Sequence, residues 1–160
     1  MSWYVRNVSE LEWDDRGPRG HVTDLVVDED AQVHANLFVL GPGEMMSMYH
    51  WEADQEDFFV LAGEAVLIVE DEERPLRQWD FFHCPPDVPH TIVGAGTRPT
   101  TILAIGAREH QAGAGWGGYP YSEVAMKHDA SAPEETTSAK VAYARFPDRQ
   151  DGEFQEDWLP

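Results

Sequence analysis

The sequence has very little lysine, a single cysteine and no long apolar run. Lysine and arginine together number 11, against 30 aspartates and glutamates, so the formal net charge is −19. A surface field of this sign repels phosphate backbones and anionic lipids. We therefore expect neither nucleic acid nor a membrane as a partner. We interpret most of the surface acid as an aid to solubility or an adaptation to high salt.

Cys84 stands alone, which excludes an internal disulfide and a structural zinc site built from several thiolates. We interpret it as a small core residue rather than a catalytic thiol. The first residues, MSWYVRNVSELEWDD, lack the basic start and apolar block of a signal peptide. No apolar run approaches the length of a membrane span. These absences predict an unprocessed, soluble protein of the cytoplasm.

Short segments rich in β-branched and aromatic residues follow one another from about residue 33 to 107, with glycine, proline and acidic residues between them. This pattern predicts an all-β sandwich or barrel. We treat residues 1–160 as one domain, with a barrel core at about 21–107 and a carboxyl-terminal extension at 108–160. The predicted strands are VHANLFVL, MSMYH, EDFFVLAG, EAVLIVE, DFFHCP, HTIVG and TTILAIGA, with loops or hairpin tips at GPGE and EDEERP.

The two flanks of this core differ from it in pattern. On the amino-terminal side, residues 3–6 are a candidate edge strand and HVTDLVV another strand, with the polar stretch DDRGPRG between them. On the carboxyl-terminal side, AGAGWGG is predicted as a flexible connection. A short helix capped by Ser122 and a second helix at about 137–146 are predicted beyond it. The polar last residues are predicted as a loose tail, unless Phe154 and Trp158 anchor it to the body or to a partner subunit.

Histidine and carboxylates crowd against an apolar strand in YHWEADQEDFFVLAGE. If MSMYH is a strand, alternation sends His50 and Glu52 to the same face, and Glu56 begins the next strand facing the same interior. His90 follows the proline-stiffened turn CPPDVPH. Two imidazoles and two carboxylates that converge in this way predict a site for a divalent first-row metal. The alternative is a pair of buried, hydrogen-bonded histidines beside solvated acids.

Apolar side chains with the same parity would line the pocket around these residues and suit a small organic ligand with metal-binding oxygens. His34, on a predicted strand, is interpreted as a half-buried structural histidine. The predicted pocket-lining residues are Met46, Met48, Phe58, Val60 and Ile92.

Two sequence motifs run through this region. The stretch HWEADQE, followed by Gly63, resembles G-x5-H-x-H-x3-4-E-x6-G, and PPDVPH resembles the central part of G-x5-P-x-G-x2-H-x3-N. Over residues 43–94 the sequence therefore resembles a small single-domain cupin. The resemblance implies an all-β, cupin-type double-stranded β-helix, or jelly roll, here with a short carboxyl-terminal helical extension. It also implies a metal held by the motif's histidines and glutamate, and a homodimer.

The sequence departs from these motifs at several positions. Glu52 stands where the first motif has its second histidine, so the ligand set becomes two imidazoles and two carboxylates. This change hardens the site, and it favours manganese, iron, zinc or nickel over copper. Trp79, Asp87 and Gly94 replace the first glycine, the turn glycine and the final asparagine of the second motif. Aspartate tolerates the left-handed backbone conformation that a turn glycine adopts.

Two classes of function follow from these observations. The first is a metal-dependent enzyme acting on a small molecule by oxidative or isomerising chemistry, with His50, Glu52, Glu56 and His90 as ligands. A carboxylate that is not a ligand would become the general base. The second is a non-catalytic module that binds or senses a small molecule. A purely structural or storage role would predict neither metal nor pocket.

Overall fold

The computed structural model of the chain describes residues 3–110 and 115–160, and its regular structure is mostly β. Within those ranges the chain forms twelve strands, two four-residue α-helices and three short 3-10 turns. The strands are β1 (Trp13–Asp15), β2 (His21–Asp24), β3 (Val33–Leu40), β4 (Trp51–Glu52), β5 (Glu56–Ala62), β6 (Glu64–Val69), β7 (Glu72–Arg77), β8 (Phe81–Cys84), β9 (His90–Ala95), β10 (Thr100–Ala107), β11 (Gly117–Gly118) and β12 (Gln150–Gly152); the helices are α1 (Glu123–Met126) and α2 (Ala139–Ala142).

The strands form two antiparallel sheets and one short additional pair. The larger sheet has seven strands in the order β12-β1-β2-β3-β10-β5-β8, and the smaller one has the order β7-β6-β9. A third, two-stranded sheet pairs β11 with β4. The prediction of an all-β fold is confirmed, and the arrangement is that of a jelly-roll sandwich.

The central strands β3 and β10 have the bounds that the sequence predicts. They pair along their full length, from Thr100 opposite Leu40 to Ala107 opposite Val33. β-Branched and aromatic residues suit such strands, since they pack well on a pleated, half-buried surface. One main core cluster draws on both large sheets and includes Leu40, Phe58, Leu67, Ile92 and Ile102.

The segment at residues 46–50, predicted as a strand, is not one. It meets β9 only at isolated positions, and amides between them bond elsewhere. The amide of Met46 donates to the carbonyl of Ile92 (2.8 Å), whereas that of Met48 donates to the hydroxyl of Tyr143 (3.0 Å). Because the segment forms no continuous ladder with β9, strict alternation of side chains does not hold here.

The prediction of a loop or hairpin tip at EDEERP is wrong for most of that stretch. Glu70 and Asp71, with φ of 48° and 62°, form the two-residue turn, and β7 then begins at Glu72. β7 is an edge strand and mostly exposed, so it lacks the apolar alternation by which strands are found. Pro75 is tolerated because an edge strand leaves one row of backbone groups unpaired.

The first and last strands of the described chain meet at one edge of the larger sheet, where β1 pairs with β12 and with β2. Trp158 is buried, its ring centroid lies 5.0 Å from that of Trp13, and its carbonyl accepts from the hydroxyl of Thr101. Phe154 packs against the same tryptophan pair. Of the two alternatives for the tail, the structure shows anchoring to the body of the protein.

Other expectations for the flanks have mixed outcomes. Ser122 caps α1 and Ser138 caps α2, although both helices are shorter than predicted. Residues 3–6 form no strand, since side chains rather than backbone pairs attach them to the body. Part of the predicted flexible connection, residues 112–114, lies outside the described residues. Among the helices of the described ranges, none has the length and apolar character needed to cross a membrane.

Candidate metal centre

His50 and His90 are brought together by the backbone. Each amide donates to the other residue's carbonyl, with distances of 3.1 Å and 2.8 Å, which makes the two residues an isolated antiparallel bridge. Directly opposed residues in such a bridge project their side chains to the same face. The two imidazole centroids consequently lie 4.9 Å apart.

A carboxylate from another strand meets both imidazoles. Glu56, the first residue of β5, places its Oε2 3.3 Å from Nε2 of His90 and 3.6 Å from Nε2 of His50. Candidate ligand atoms of these three residues all lie within 4.8 Å of one another. All three residues are buried, and His90 is 1% exposed.

The polar atoms in this cluster fit a bound cation. Oε2 of Glu56 and Nε2 of His90 are buried without a hydrogen-bond partner. Unpartnered buried polar atoms are costly, and those that persist call for an explanation such as an ion. Two imidazole nitrogens and a carboxylate oxygen are a donor set that divalent first-row metals accept.

The other ring nitrogens of the two histidines are held by the backbone. Nδ1 of His50 lies 2.9 Å from the carbonyl of Met48, and Nδ1 of His90 lies 3.0 Å from that of Val88. Because each Nδ1–H donates to a carbonyl, Nε2 is the nitrogen left to face Glu56. Metal-binding histidines are commonly oriented in this way. Cys84 contributes a further contact, with its Sγ 3.2 Å from Nδ1 of His90.

Electrostatics in the cluster favour positive charge. Burial acts to lower the pKa of His50, but Glu52 and Glu56 outweigh it and raise the pKa to about 10. Burial likewise acts against protonation of His90, whereas Cys84 and Glu56 raise its pKa to about 9. The two imidazoles in turn hold the pKa of Glu56 far below its usual value, although burial opposes this. A divalent ion would take the place of these protons.

Glu52 lies at the edge of the cluster. It is in β4, which pairs with β11, and its Oε1 is 3.5 Å from Nε2 of His50. Its backbone carbonyl accepts from the amide of Asp87, which ties β4 to the turn that precedes His90. The structure thus brings the side chains of all four predicted ligand residues close together, and Glu52 joins this group by its contact with His50.

A cavity of about 520 Å³ opens beside these residues, a size that suits a small organic ligand. Of the predicted pocket-lining residues, Met46 and Phe58 lie in its wall. Met48, Val60 and Ile92 lie outside the wall and are buried in the core. The parity argument fails for Met48 because residues 46–50 are not a strand.

His34 belongs to the cavity wall, a role that the sequence analysis missed. Its ligand atoms and those of Glu52 and Glu56 lie within 4.8 Å of one another, and its Nε2 is buried without a partner. Nδ1 lies 2.9 Å from Oδ1 of Asn36. A signal was available, because alternation along β3 places His34, Asn36 and Phe38 on one face.

Arg16, Arg19, Tyr119 and Tyr143 also line the cavity, and no sequence pattern pointed to them. Arg16 and Arg19 come from the polar stretch DDRGPRG before the predicted barrel core. Tyr119 and Tyr143 come from the carboxyl-terminal extension. Contacts of such long sequence separation become visible only in the folded chain.

Comparison with known proteins relates part of this chain to a protein family. Residues 36–106 match the family model of the Cupin domain. A crystal structure described as a sugar phosphate isomerase from a cupin superfamily, from Silicibacter pomeroyi DSS-3, has a TM-score of 0.57 and 25% identity; the match covers 66% of this chain and 76% of that one.

Curated relatives match over a shorter stretch. The 3-hydroxyanthranilate 3,4-dioxygenase of Xanthomonas euvesicatoria pv. vesicatoria (strain 85-10) is 39% identical over 59 residues, or 34% of each protein. The enzyme of the same name from Xanthomonas oryzae pv. oryzae (strain MAFF 311018) is 32% identical over 85 residues, 50% of this chain and 48% of that protein. The matched parts thus span half or less of these relatives.

The fold is that of a jelly-roll protein, and its cavity is lined by the larger sheet, by β4 and by the carboxyl-terminal extension. Residues 36–106 match the Cupin domain, and the predicted cupin-type fold is confirmed.

Proposed function

We propose that this cupin binds a divalent metal ion through His50, Glu56 and His90 and is an enzyme that acts on a small organic molecule. The observation that carries the proposal is the pair of buried, unpartnered atoms, Oε2 of Glu56 and Nε2 of His90, 3.3 Å apart at the cavity. Manganese, iron, zinc and nickel suit this donor set. Of these, iron is the choice that fits oxidative chemistry best.

The residues at the site would have different roles. His50, Glu56 and His90 hold the ion, which when bound supplies Lewis-acid chemistry or, for a redox metal, oxidative chemistry. Glu52 is the fourth ligand or, if it stays uncoordinated, the base that accepts a proton from the organic ligand. Phe58 and Met46 exclude water from one side of the cavity.

The relatives support oxidative or isomerising chemistry. The curated relatives are named dioxygenases, and the similar crystal structure is described as an isomerase. A cupin fold hosts many reactions, so the reaction must be assigned from the site and from assays.

Elemental analysis of protein purified without a metal-affinity step tests the metal centre. We expect about one equivalent of a divalent metal in the wild type, and its loss in His50→Ala and in His90→Ala. His83→Ala is the matched control, because His83 is exposed and pairs with Asp57 instead (2.6 Å). A wild type that stays empty after incubation with each of the four metals would contradict the proposal.

Activity is tested with two probes on metal-loaded protein. Oxygen uptake with 3-hydroxyanthranilate reports dioxygenase chemistry, and conversion of fructose 6-phosphate reports isomerisation. If the Glu52→Gln variant keeps its metal but loses turnover, Glu52 is assigned as the base. If the variant loses its metal, Glu52 is assigned as a ligand. A protein that holds metal and binds the probes without turnover would favour the alternative of a binding or sensing module.

A further inference from the structure

Arg16 is a buried cation at the cavity wall. It is 4% exposed, and it directly precedes the 3-10 turn at Gly17–Arg19. One guanidinium nitrogen donates to the carbonyl of Met46 (3.1 Å), and another donates to the carbonyl of Arg19. The guanidinium also lies 4.9 Å from the ring centroid of Phe38. These contacts fix its position, but none of them carries negative charge.

Arg19 lies nearby and is half-buried. Its guanidinium is 4.2 Å from the ring centroid of Tyr143, a cation–π contact. Within the described part of the chain, neither Arg16 nor Arg19 forms an ion pair with a carboxylate, although the chain has 30 aspartates and glutamates. The Nε atoms of both arginines are buried without a hydrogen-bond partner.

This arrangement leaves positive charge uncompensated. Burial and the nearby charges of Arg19 and Arg149 lower the pKa of Arg16 to about 9, and Tyr143 and Asp14 only partly oppose this. A buried charge without a partner is costly, and two neighbouring like charges add to the cost. Nearby Arg149 is already paired with Asp14 (2.9 Å). The missing partner is therefore an anion from outside the chain.

The same cavity holds both the arginines and the candidate metal centre. Arg16 and Arg19 line it together with His50, Glu52 and Glu56. The cavity wall therefore carries guanidinium groups as well as imidazoles and carboxylates. Guanidinium groups bind planar carboxylates and phosphates through paired hydrogen bonds.

We propose that Arg16 and Arg19 bind the carboxylate or phosphate group of the organic ligand, so that the cavity selects small anionic molecules. The proposal deepens the proposed function, since the ligand's other end would reach the residues of the metal centre. The arginines thereby counteract the repulsion that a chain of net charge −19 exerts on an anion.

Calorimetric binding of three simple probes tests this inference. Benzoate carries a carboxylate, phenyl phosphate carries a phosphate, and benzamide is the neutral isostere of benzoate. We expect benzoate or phenyl phosphate to bind wild-type protein at least about tenfold more tightly than benzamide. The stronger of the two identifies which anionic group the arginines recognise. In Arg16→Met and in Arg19→Met this preference should disappear, while the affinity for benzamide stays unchanged.

Arg74→Met is the matched control, because Arg74 is exposed on β7 and pairs with Glu72 outside the cavity. It removes the same charge and should keep the wild-type preference. Arg19→Met carries the test if Arg16→Met fails to fold, since the side chain of Arg19 donates no hydrogen bond that holds the backbone. Equal binding of all three probes by the wild type would overturn the inference, and so would loss of the preference in Arg74→Met.

Elemental analysis and titrations of the chelated protein together separate this inference from the metal centre. If the wild type takes up none of the four metals and still binds benzoate or phenyl phosphate through Arg16 and Arg19, the proposed function fails and the inference stands. If the metal is present and the arginine variants bind all probes like the wild type, the inference fails and the metal centre stands.

Discussion

Trp79 and Asp87 lie where the second cupin motif has glycine, and both have a left-handed backbone, with φ of 75° and 65°. The turn geometry is therefore kept although the residue has changed. Asp87 fits the expectation that aspartate tolerates this conformation. Gly63 differs, because a Cβ there would lie 2.5 Å from the carbonyl oxygen of Pro99. A residue with a left-handed backbone can therefore carry a side chain where the space around it is open. It cannot do so where another backbone segment lies as close as it does at Gly63.

Replacing Trp79 separates backbone strain from side-chain packing. Trp79 is 60% exposed and contacts Phe59, so Trp79→Ala and Trp79→Gly both remove that contact. Only glycine relieves the left-handed strain, and we expect Trp79→Gly to be more stable than Trp79→Ala by about 1 kcal/mol. Urea unfolding measures the difference. At the exposed strand position Phe81 we expect the opposite order of stability, with Phe81→Gly less stable than Phe81→Ala. If the glycine variant is the more stable one at both positions, the strain argument is contradicted.

At the level of elements, the sequence predicts those strands whose buried side chains alternate or run continuously. β3 and β10 were predicted with their observed bounds, and β5, β6, β8 and β9 to within two residues. β7 was not predicted, because an exposed edge strand needs no apolar side chains. The segment at 46–50 was misassigned because Met48 and Tyr49 pack against the carboxyl-terminal extension, and the sequence does not show that contact.

The candidate site was predictable to the extent that it rests on local pattern. The spacing of His50, Glu52 and Glu56, together with the turn before His90, was enough to place these residues together. The arginines and tyrosines of the cavity were not predictable, because they enter from segments before β2 and after β11. A pocket assembled by such distant segments depends on tertiary packing, which short-range periodicity does not encode.

The carboxyl-terminal segment is a structural part of the sandwich, and Trp158 tests this. The side chain is 3% exposed and packs against Trp13 and Phe154. We expect Trp158→Ala to lower the free energy of unfolding by about 3–5 kcal/mol, the usual cost of removing a buried aromatic side chain. Denaturant unfolding measures it. Tyr121→Ala, at a half-exposed aromatic, should lower the free energy of unfolding far less. If Trp158→Ala costs as little as Tyr121→Ala, the tail does not support the fold.

At the scale of the whole molecule, charge is the dominant property. Thirty acidic and 11 basic side chains share a domain of 160 residues. Mutual repulsion of like charges destabilises the compact state relative to the expanded one. The homodimer that the cupin resemblance implies stays a prediction, and any such interface would have to bring together two chains of the same strong charge.

Salt should therefore stabilise this protein. The screening length falls from about 10 Å at 0.1 M salt to about 3 Å at 1 M, which weakens repulsion among exposed acids. We expect the thermal midpoint to rise between 0.05 M and 1 M sodium chloride, by roughly 2–4 °C for each kcal/mol of relieved repulsion. Scanning calorimetry at several salt concentrations measures it.

A variant with fewer negative charges identifies the cause. Glu134 and Glu135 are exposed, and the double variant Glu134→Lys/Glu135→Lys exchanges two negative charges for two positive ones. If repulsion is the cause, this variant has a higher midpoint than the wild type at low salt and responds less to added salt. If the two proteins show the same salt response, sodium chloride acts through burial of apolar surface instead, because that effect does not depend on two surface charges.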